Sequence, residues 1–284
     1  MRIPAIRRGR RLLTTAAAVT ATVLAIGASP AAAQTPDNDR TSETDRMIRE
    51  NDHPMGSQIA KHEGGTPMVV VRPEEAGIQA TVYGIDVSGW QGNVDWSAQW
   101  NAGKRFAYVK ATESLTYRNP YFAQQYNGSY NIGMIRGAYH FATPDTSGGA
   151  AQADYFVNNG GGWSADGRTL PGALDMEYNP YGATCFGLST SGMVNWIRSF
   201  SDRYHGRTGR WPVIYTSTSW WSQCTGNGGD FTTTNPLWVA RYAAAPGALP
   251  YAWDFYTFWQ YSSSPIDQNA FNGAYDRLQA LATG

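Results

Sequence analysis

From residue 81 onward the chain alternates short β-rich runs with stretches of helical period, and this alternation limits the fold more than any other feature. The β-rich runs are Tyr83–Ser88, Phe106–Ala111, Met134–Phe141, Pro171–Glu177, Val213–Thr216, Leu237–Arg241 and Phe255–Tyr261. Helical patterns cover Asp95–Ala102, Pro120–Asn131, Gly149–Asn159 and Ser189–Tyr204, with a short one over Ser217–Ser222. A strand that leads into a helix and then into another strand builds a parallel sheet with crossover connections. Five such units, followed by strands with little helix between them, predict an α/β fold: an incomplete TIM-like β/α barrel forming a single domain over 81–284. Barrels of this kind place their chemistry at the C-terminal ends of the strands. The acids that end strands are therefore the residues to examine.

Three acids meet that condition. Asp86 lies near the end of the first run, and Asp175 and Glu177 lie at the end of the fourth. The i, i+2 spacing of the last two puts both side chains on one face of a strand, with Met176 on the other. Two carboxyl groups on one face repel each other, so one must hold a proton or find a donor. A glycosidase needs that asymmetry: a protonated acid for the leaving oxygen and a charged group for a cation-like transition state. The plainer reading is that Asp86 and Asp175 cap helices or tie loops. Three such acids together above an apolar interior favour the chemical one.

Composition agrees. Hydrophobic residues make up 42% and charged residues 15%, which suits a large packed core. All 11 Trp lie between Trp90 and Trp259, and indole faces suit both packing and stacking on sugar rings. Residues 1–33 read as a secretion signal. Arg2, Arg7, Arg8, Arg10 and Arg11 precede an apolar stretch from Leu12 to Ala28, and Ala31-Ala32-Ala33 forms a small-residue cleavage site. General secretion is favoured over twin-arginine export. Loss of that signal removes five of the 22 basic residues and none of the 22 acidic ones, leaving a net charge of −5. Such a chain is not expected to bind nucleic acid, or membranes once the signal is gone. We expect an extracellular monomer. In an exported protein, Cys185 and Cys224, the only two Cys, are expected to form one disulfide.

Residues 34–80 are polar and contain no Trp, Tyr or Phe, so they read as a linker or pro-segment that contributes little core. Asp45–Asn51 is expected to form a short helix and Met68–Val71 a short docked strand. His53 and His62 are read as solvated, and no metal site is expected, because a third ligand is missing.

The ordered motifs carry a more specific message. They read YGIDVSGWQG at 83–92, NVDW at 93–96, YVKATES at 108–114, GAYHFA at 137–142 and LDMEYN at 174–179. VIYTSTSWW at 213–221, LWVARY at 237–242 and FWQYSSSPIDQNAFNG at 258–273 follow. In this order the chain resembles the family 25 glycoside hydrolases, also called Ch-type lysozymes, over essentially all of 81–284. The resemblance implies a (β/α)5β3 barrel, no cofactor, and hydrolysis of the β-1,4 bond between N-acetylmuramic acid and N-acetylglucosamine in bacterial peptidoglycan. It also makes action on O-acetylated muramic acid plausible. It implies that Glu177 is the general acid and Asp175 its partner carboxylate, with Asp86 and Asp267 as further acids of the catalytic group. At strand ends, Tyr139, Tyr215, Trp238, Tyr242 and Gln260 are read as substrate-binding residues. His140 is expected on the opposite strand face from Tyr139 in a structural role, Asp95 is expected to cap its helix, and Glu113 is expected to pair with Lys110.

Two competing classes remain. A peptidoglycan-binding barrel that has lost catalysis would keep the aromatics but not the acids. A metal-dependent amidase or deacetylase needs His ligands, and the domain has only His140 and His205.

Overall fold

The computed structural model describes residues 38–64 and 81–284. The expected signal segment and the expected strand Met68–Val71 lie outside these residues.

Nine strands form one sheet: β1 (Val82–Val87), β2 (Phe106–Glu113), β3 (Tyr117–Arg118), β4 (Ile135–Phe141), β5 (Ala173–Asp175), β6 (Val213–Thr216), β7 (Leu237–Ala240), β8 (Phe258–Ser262) and β9 (Gln268–Phe271). The order β1-β9-β8-β7-β6-β5-β4-β2, together with direct β1–β2 pairing, closes eight of them into a barrel, and β3 hangs from β2 as a two-residue antiparallel extension. Neighbouring pairs from β1 round to β8 are parallel, whereas β9 runs antiparallel to both β8 and β1. Sequence reading found seven of the eight barrel strands and missed β9. The hydrophilic Asp267-Gln268-Asn269 at its start hid it, and those polar side chains are justified only by what faces them across the barrel mouth.

The crossover helices are α3 (Trp96–Asn101), α4 (Phe122–Asn131), α5 (Gly149–Phe156), α6 (Thr190–Thr208) and α7 (Thr218–Thr225); α8 (Tyr275–Thr283) closes the chain. Local chemistry sets their starts. The Asp95 side chain accepts from Ala98 N, Ser189 from Gly192 N, and Ser217 from Trp220 N, each satisfying an otherwise orphaned first-turn amide. Gly209, at φ 72°, ends α6 in the left-handed conformation that glycine adopts without strain.

Strand alternation divides the core into two layers. Inside the barrel Phe106, Tyr108, Trp238 and Phe258 stack with ring centroids 4.8–5.6 Å apart. Gly137 leaves room for them, since a Cβ there would lie 2.3 Å from the Tyr108 ring. Outside, Ile85, Val87, Ala107, Val109 and Met134 pack with Trp96 of α3. On the far side Phe156, Phe200 and Tyr204 form a stacked row. His140 joins that row, bonded to Thr112 and Gln152, and burial pushes its pKa down to about 4. Cys185 and Cys224 are disulfide-bonded, tying the loop after β5 to α7.

The stretch before the barrel departs from expectation. It forms α1 (Asn38–Glu50), which encloses most of the short helix expected at Asp45–Asn51, and α2 (Ser57–Glu63), which the sequence reading did not foresee. It also contributes core: Ile48, Met55 and Ile59 are buried, the last two within the main apolar cluster of the barrel.

Candidate active site

The acids gather at the mouth formed by the C-terminal ends of the parallel strands. On β1, residues 84 and 86 point inward while Ile85 and Val87 face the helices. Because β9 is antiparallel, its beginning lies at the same mouth as the end of β1: Ile85 is registered with Gln268, and Asp86 N donates to Asp267 O at 3.3 Å. On β5 the inward positions are Ala173 and Asp175. Glu177 continues that face two residues past the strand end, held by Met176 N bonding to Tyr215 O at 2.9 Å. The strand expected to run to Glu177 stops at Asp175, because only three residues find partners on both sides.

Asp86, Asp175 and Glu177 are fully or almost fully buried, and Asp267 is 6% exposed. Their surroundings differ. Asp86 Oδ2 accepts from Gln260 Nε2 at 2.9 Å and Asn269 Nδ2 at 2.7 Å. The carboxyl of Asp267 is close enough that the charge of each acid bears on the protonation of the other. Burial raises Asp86 to about 7, offset in part by the two amides; Asp267, without those donors, is pushed well above the carboxylate range. Burial, and then the nearby Glu177 charge, raise Asp175 well above its ordinary value. Neither oxygen of Asp175 has a hydrogen-bond partner among the described residues. Glu177 is pushed up to about 8 by burial, against the pull of three backbone amides that donate to it. The group therefore retains protons near neutrality, the condition a general acid requires.

The expected binding residues take different positions. Tyr215 OH donates to Gln260 Oε1 at 2.5 Å and Tyr242 OH to the same atom at 2.8 Å. Gln260 thus links two phenols to Asp86. Tyr139 is buried in the same group, its pKa pushed well above normal by burial and then by the charge of Asp86. Trp238 sits a layer deeper, fully buried edge-on to Tyr215 with Nε1 bonded to Asn269 Oδ1 at 3.0 Å. Its contacts are those of the barrel interior.

Asn269 was missed by sequence reasoning. It stands at i+2 from Asp267, and the alternation argument applied to Asp175 and Glu177 would have found it. A second polar group was seen only in part. The pairing expected of Lys110 and Glu113 is present at 2.6 Å, but the fully buried Lys110 Nζ also donates to Asp52 Oδ1 at 2.8 Å and His53 O at 2.7 Å. Glu113 further accepts from Tyr181 OH, which also bonds His53 Nδ1 at 2.8 Å. His53 is therefore a packed residue, not a solvated one, and His62 stacks on Tyr178 with centroids 4.4 Å apart.

Comparison with known proteins gives one consistent result. Residues 85–270 match the model of glycosyl hydrolases family 25. Lysozyme M1 of Streptomyces globisporus is 52% identical over 209 residues, 71% of each chain. N,O-diacetylmuramidase of Chalaropsis sp is 51% identical over 211 residues, covering 72% of this chain and 100% of that one. The solved muramidase of Acremonium alcalophilum is 58% identical with a TM-score of 0.70, covering 72% of this chain and 99% of that one. The chain belongs to glycosyl hydrolases family 25 and is a glycoside hydrolase.

Proposed function

We propose that this enzyme is an exported lysozyme that hydrolyses the β-1,4 bond between N-acetylmuramic acid and N-acetylglucosamine in bacterial peptidoglycan, including strands with O-acetylated muramic acid. The observation that carries the reading is the buried Asp175–Glu177 pair on one barrel face, backed by the buried Asp86 and Asp267 beside it. Relatives named lysozyme and N,O-diacetylmuramidase support the substrate class. Export rests on the basic–apolar–small pattern of residues 1–33; no helix among the described residues is long and apolar enough to cross a membrane.

In this reading Glu177 is the general acid. Its raised pKa keeps the proton available at neutral pH for the leaving glycosidic oxygen. Asp175 faces the same reaction centre with two unbonded oxygens, and a substrate acetamido N–H is a donor that would satisfy one of them. A donor bonded there favours the charged form of Asp175, which then stabilises the cation-like sugar and steers the acetamido group. Asp86, bonded by Gln260 and Asn269 and tied through its backbone N to Asp267 O, holds the mouth in shape around them.

Glu177→Gln tests the assignment. It keeps size and polarity but removes the transferable proton, so wall lysis should fall roughly 10²–10⁴-fold with the fold retained. A general acid works only while protonated, so activity should be lost as pH rises through the pKa of Glu177. Near-normal turnover in Glu177→Gln would remove Glu177 from the role, whereas no lysis by any form of the chain would favour the non-catalytic wall-binding reading. Mass spectrometry of fragments released from plain and O-acetylated walls tests the substrate.

A further inference from the structure

The residues just described as catalytic and substrate-binding do not face solvent: a segment from the chain's own N-terminal region lies across them. Gly56 N donates to Glu177 Oε1 at 2.8 Å, and Gln58 N and Ile59 N donate to Oε2 at 2.8 and 3.0 Å. Both oxygens of the proposed general acid are thereby occupied by main-chain donors. Met55 N bonds Tyr139 OH at 3.1 Å, Gly56 O accepts from Tyr242 OH at 3.1 Å, and Met55 O accepts from Gln260 Nε2 at 3.4 Å. Met55 and Ile59 are each 1% exposed.

The segment is anchored at both rims of the mouth. On the β2 side Asp52 bonds Lys110 Nζ and accepts from Trp90 N at 2.9 Å. On the β5–β6 side Glu63 accepts from Tyr178 OH at 2.9 Å and from Ser217 Oγ. Gly56 sets the turn between them at φ 79°, and a Cβ there would lie 2.2–2.4 Å from the Tyr242 and Tyr215 hydroxyls and the Gln260 oxygen. The backbone can approach this closely only because residue 56 has no side chain.

We propose that residues 52–63 are an intramolecular inhibitor, so that the chain is made as a latent enzyme and becomes active when this segment leaves the mouth. The proposal rests on the assignment of Glu177 as general acid. The geometry answers both needs of an inhibitor. It fills the space the glycan must enter, and its three N–H groups occupy both oxygens of Glu177, the atoms that would otherwise meet the leaving glycosidic oxygen. The comparisons agree with a removable part. The Chalaropsis enzyme and the Acremonium muramidase are matched along 100% and 99% of their lengths by 72% of this chain, the share that residues 81–284 make up. The covalent connection between segment and barrel strengthens the block. A short tether presents its segment at an effective concentration on the order of millimolar, so a modest intrinsic affinity suffices while the chain is intact and fails once it is cut.

The test uses the full chain and its Gly56→Val variant, whose side chain cannot fit against Tyr215, Tyr242 and Gln260 and lies outside the barrel. Ile59→Asp, which puts a charge into the apolar socket, is the second variant. Lysis of purified walls should be at least tenfold faster in both variants than in the parent. Amide exchange at Gln58 should be slow in the parent and fast in both variants. A synthetic peptide spanning residues 47–64 should slow the Gly56→Val enzyme again. The proposal is overturned by equal lysis rates in parent and variants, or by a Gln58 amide that exchanges freely in the parent. The catalytic assignment is read separately. If Glu177→Gln on the Gly56→Val background keeps full lysis, that assignment falls, while the activation ratio still decides whether the segment inhibits.

Discussion

The segment 38–64 and the barrel 81–284 are held by different kinds of interaction. The barrel is closed by continuous backbone pairing around eight strands and filled by aromatic rings, so each part of it depends on the rest. The segment adds no strand to the sheet. It is fixed by three buried apolar side chains and by polar bonds to groups that serve another purpose in the barrel. A region of the first kind unfolds only with the whole domain, whereas one of the second kind can leave while the rest stands. That difference is what a detachable inhibitor requires.

Substitutions in the two regions should therefore differ in kind as well as size. The largest effect is expected from Phe258→Ala, which empties the centre of the ring stack formed with Phe106, Tyr108 and Trp238. Global unfolding by denaturant should lose about 3–5 kcal/mol. A loss below about 1 kcal/mol would show that the interior repacks more freely than a close-packed core allows. Next comes reduction of Cys185–Cys224, which frees a loop closed over a sequence separation of 39. It should lower the melting temperature and cost about 3–4 kcal/mol in the chain-entropy account. Thiol titration of the native protein should find no free thiol. The smallest effect is expected from Ile59→Ala, at about 2 kcal/mol of local stability. It should speed amide exchange at Gln58 and Ile59 and leave the barrel's unfolding midpoint in place. If the midpoint falls as far as in Phe258→Ala, the two regions are one cooperative unit and the comparison fails.

Much of the barrel was legible because its signals are local. β-rich runs marked seven strands, the cap expected at Asp95 marked a helix start, and the i, i+2 spacing of Asp175 and Glu177 put both carboxyls on one face without knowledge of any neighbour. The ordered motifs then gave the family, and the family match covers the same residues. Strand β9 was not legible, since its polar residues face Asp86 and a fold is needed to know that. Trp238 shows the limit of reading by strand-end position, since the same strand carries it down into the stack with Tyr108 and Phe258.

The N-terminal segment marks the boundary most clearly. Its composition alone established that it lacks the aromatic surface to build a core of its own, and that holds: it borrows the barrel's. Composition could not say where its few apolar residues would go. Met55 and Ile59 bury themselves only because a barrel mouth offers a socket, and the amides of Gly56, Gln58 and Ile59 find a buried carboxyl as acceptor only because β5 delivers Glu177 there. The sequence by itself determined which residues would be strands, helices and acids, since those follow from side-chain size, period and charge within a few neighbours. Which side chains bond each acid, and which stretch of chain covers them, was decided by tertiary structure. Those facts depend on groups more than 100 residues apart in the chain, brought within hydrogen-bond reach by barrel closure.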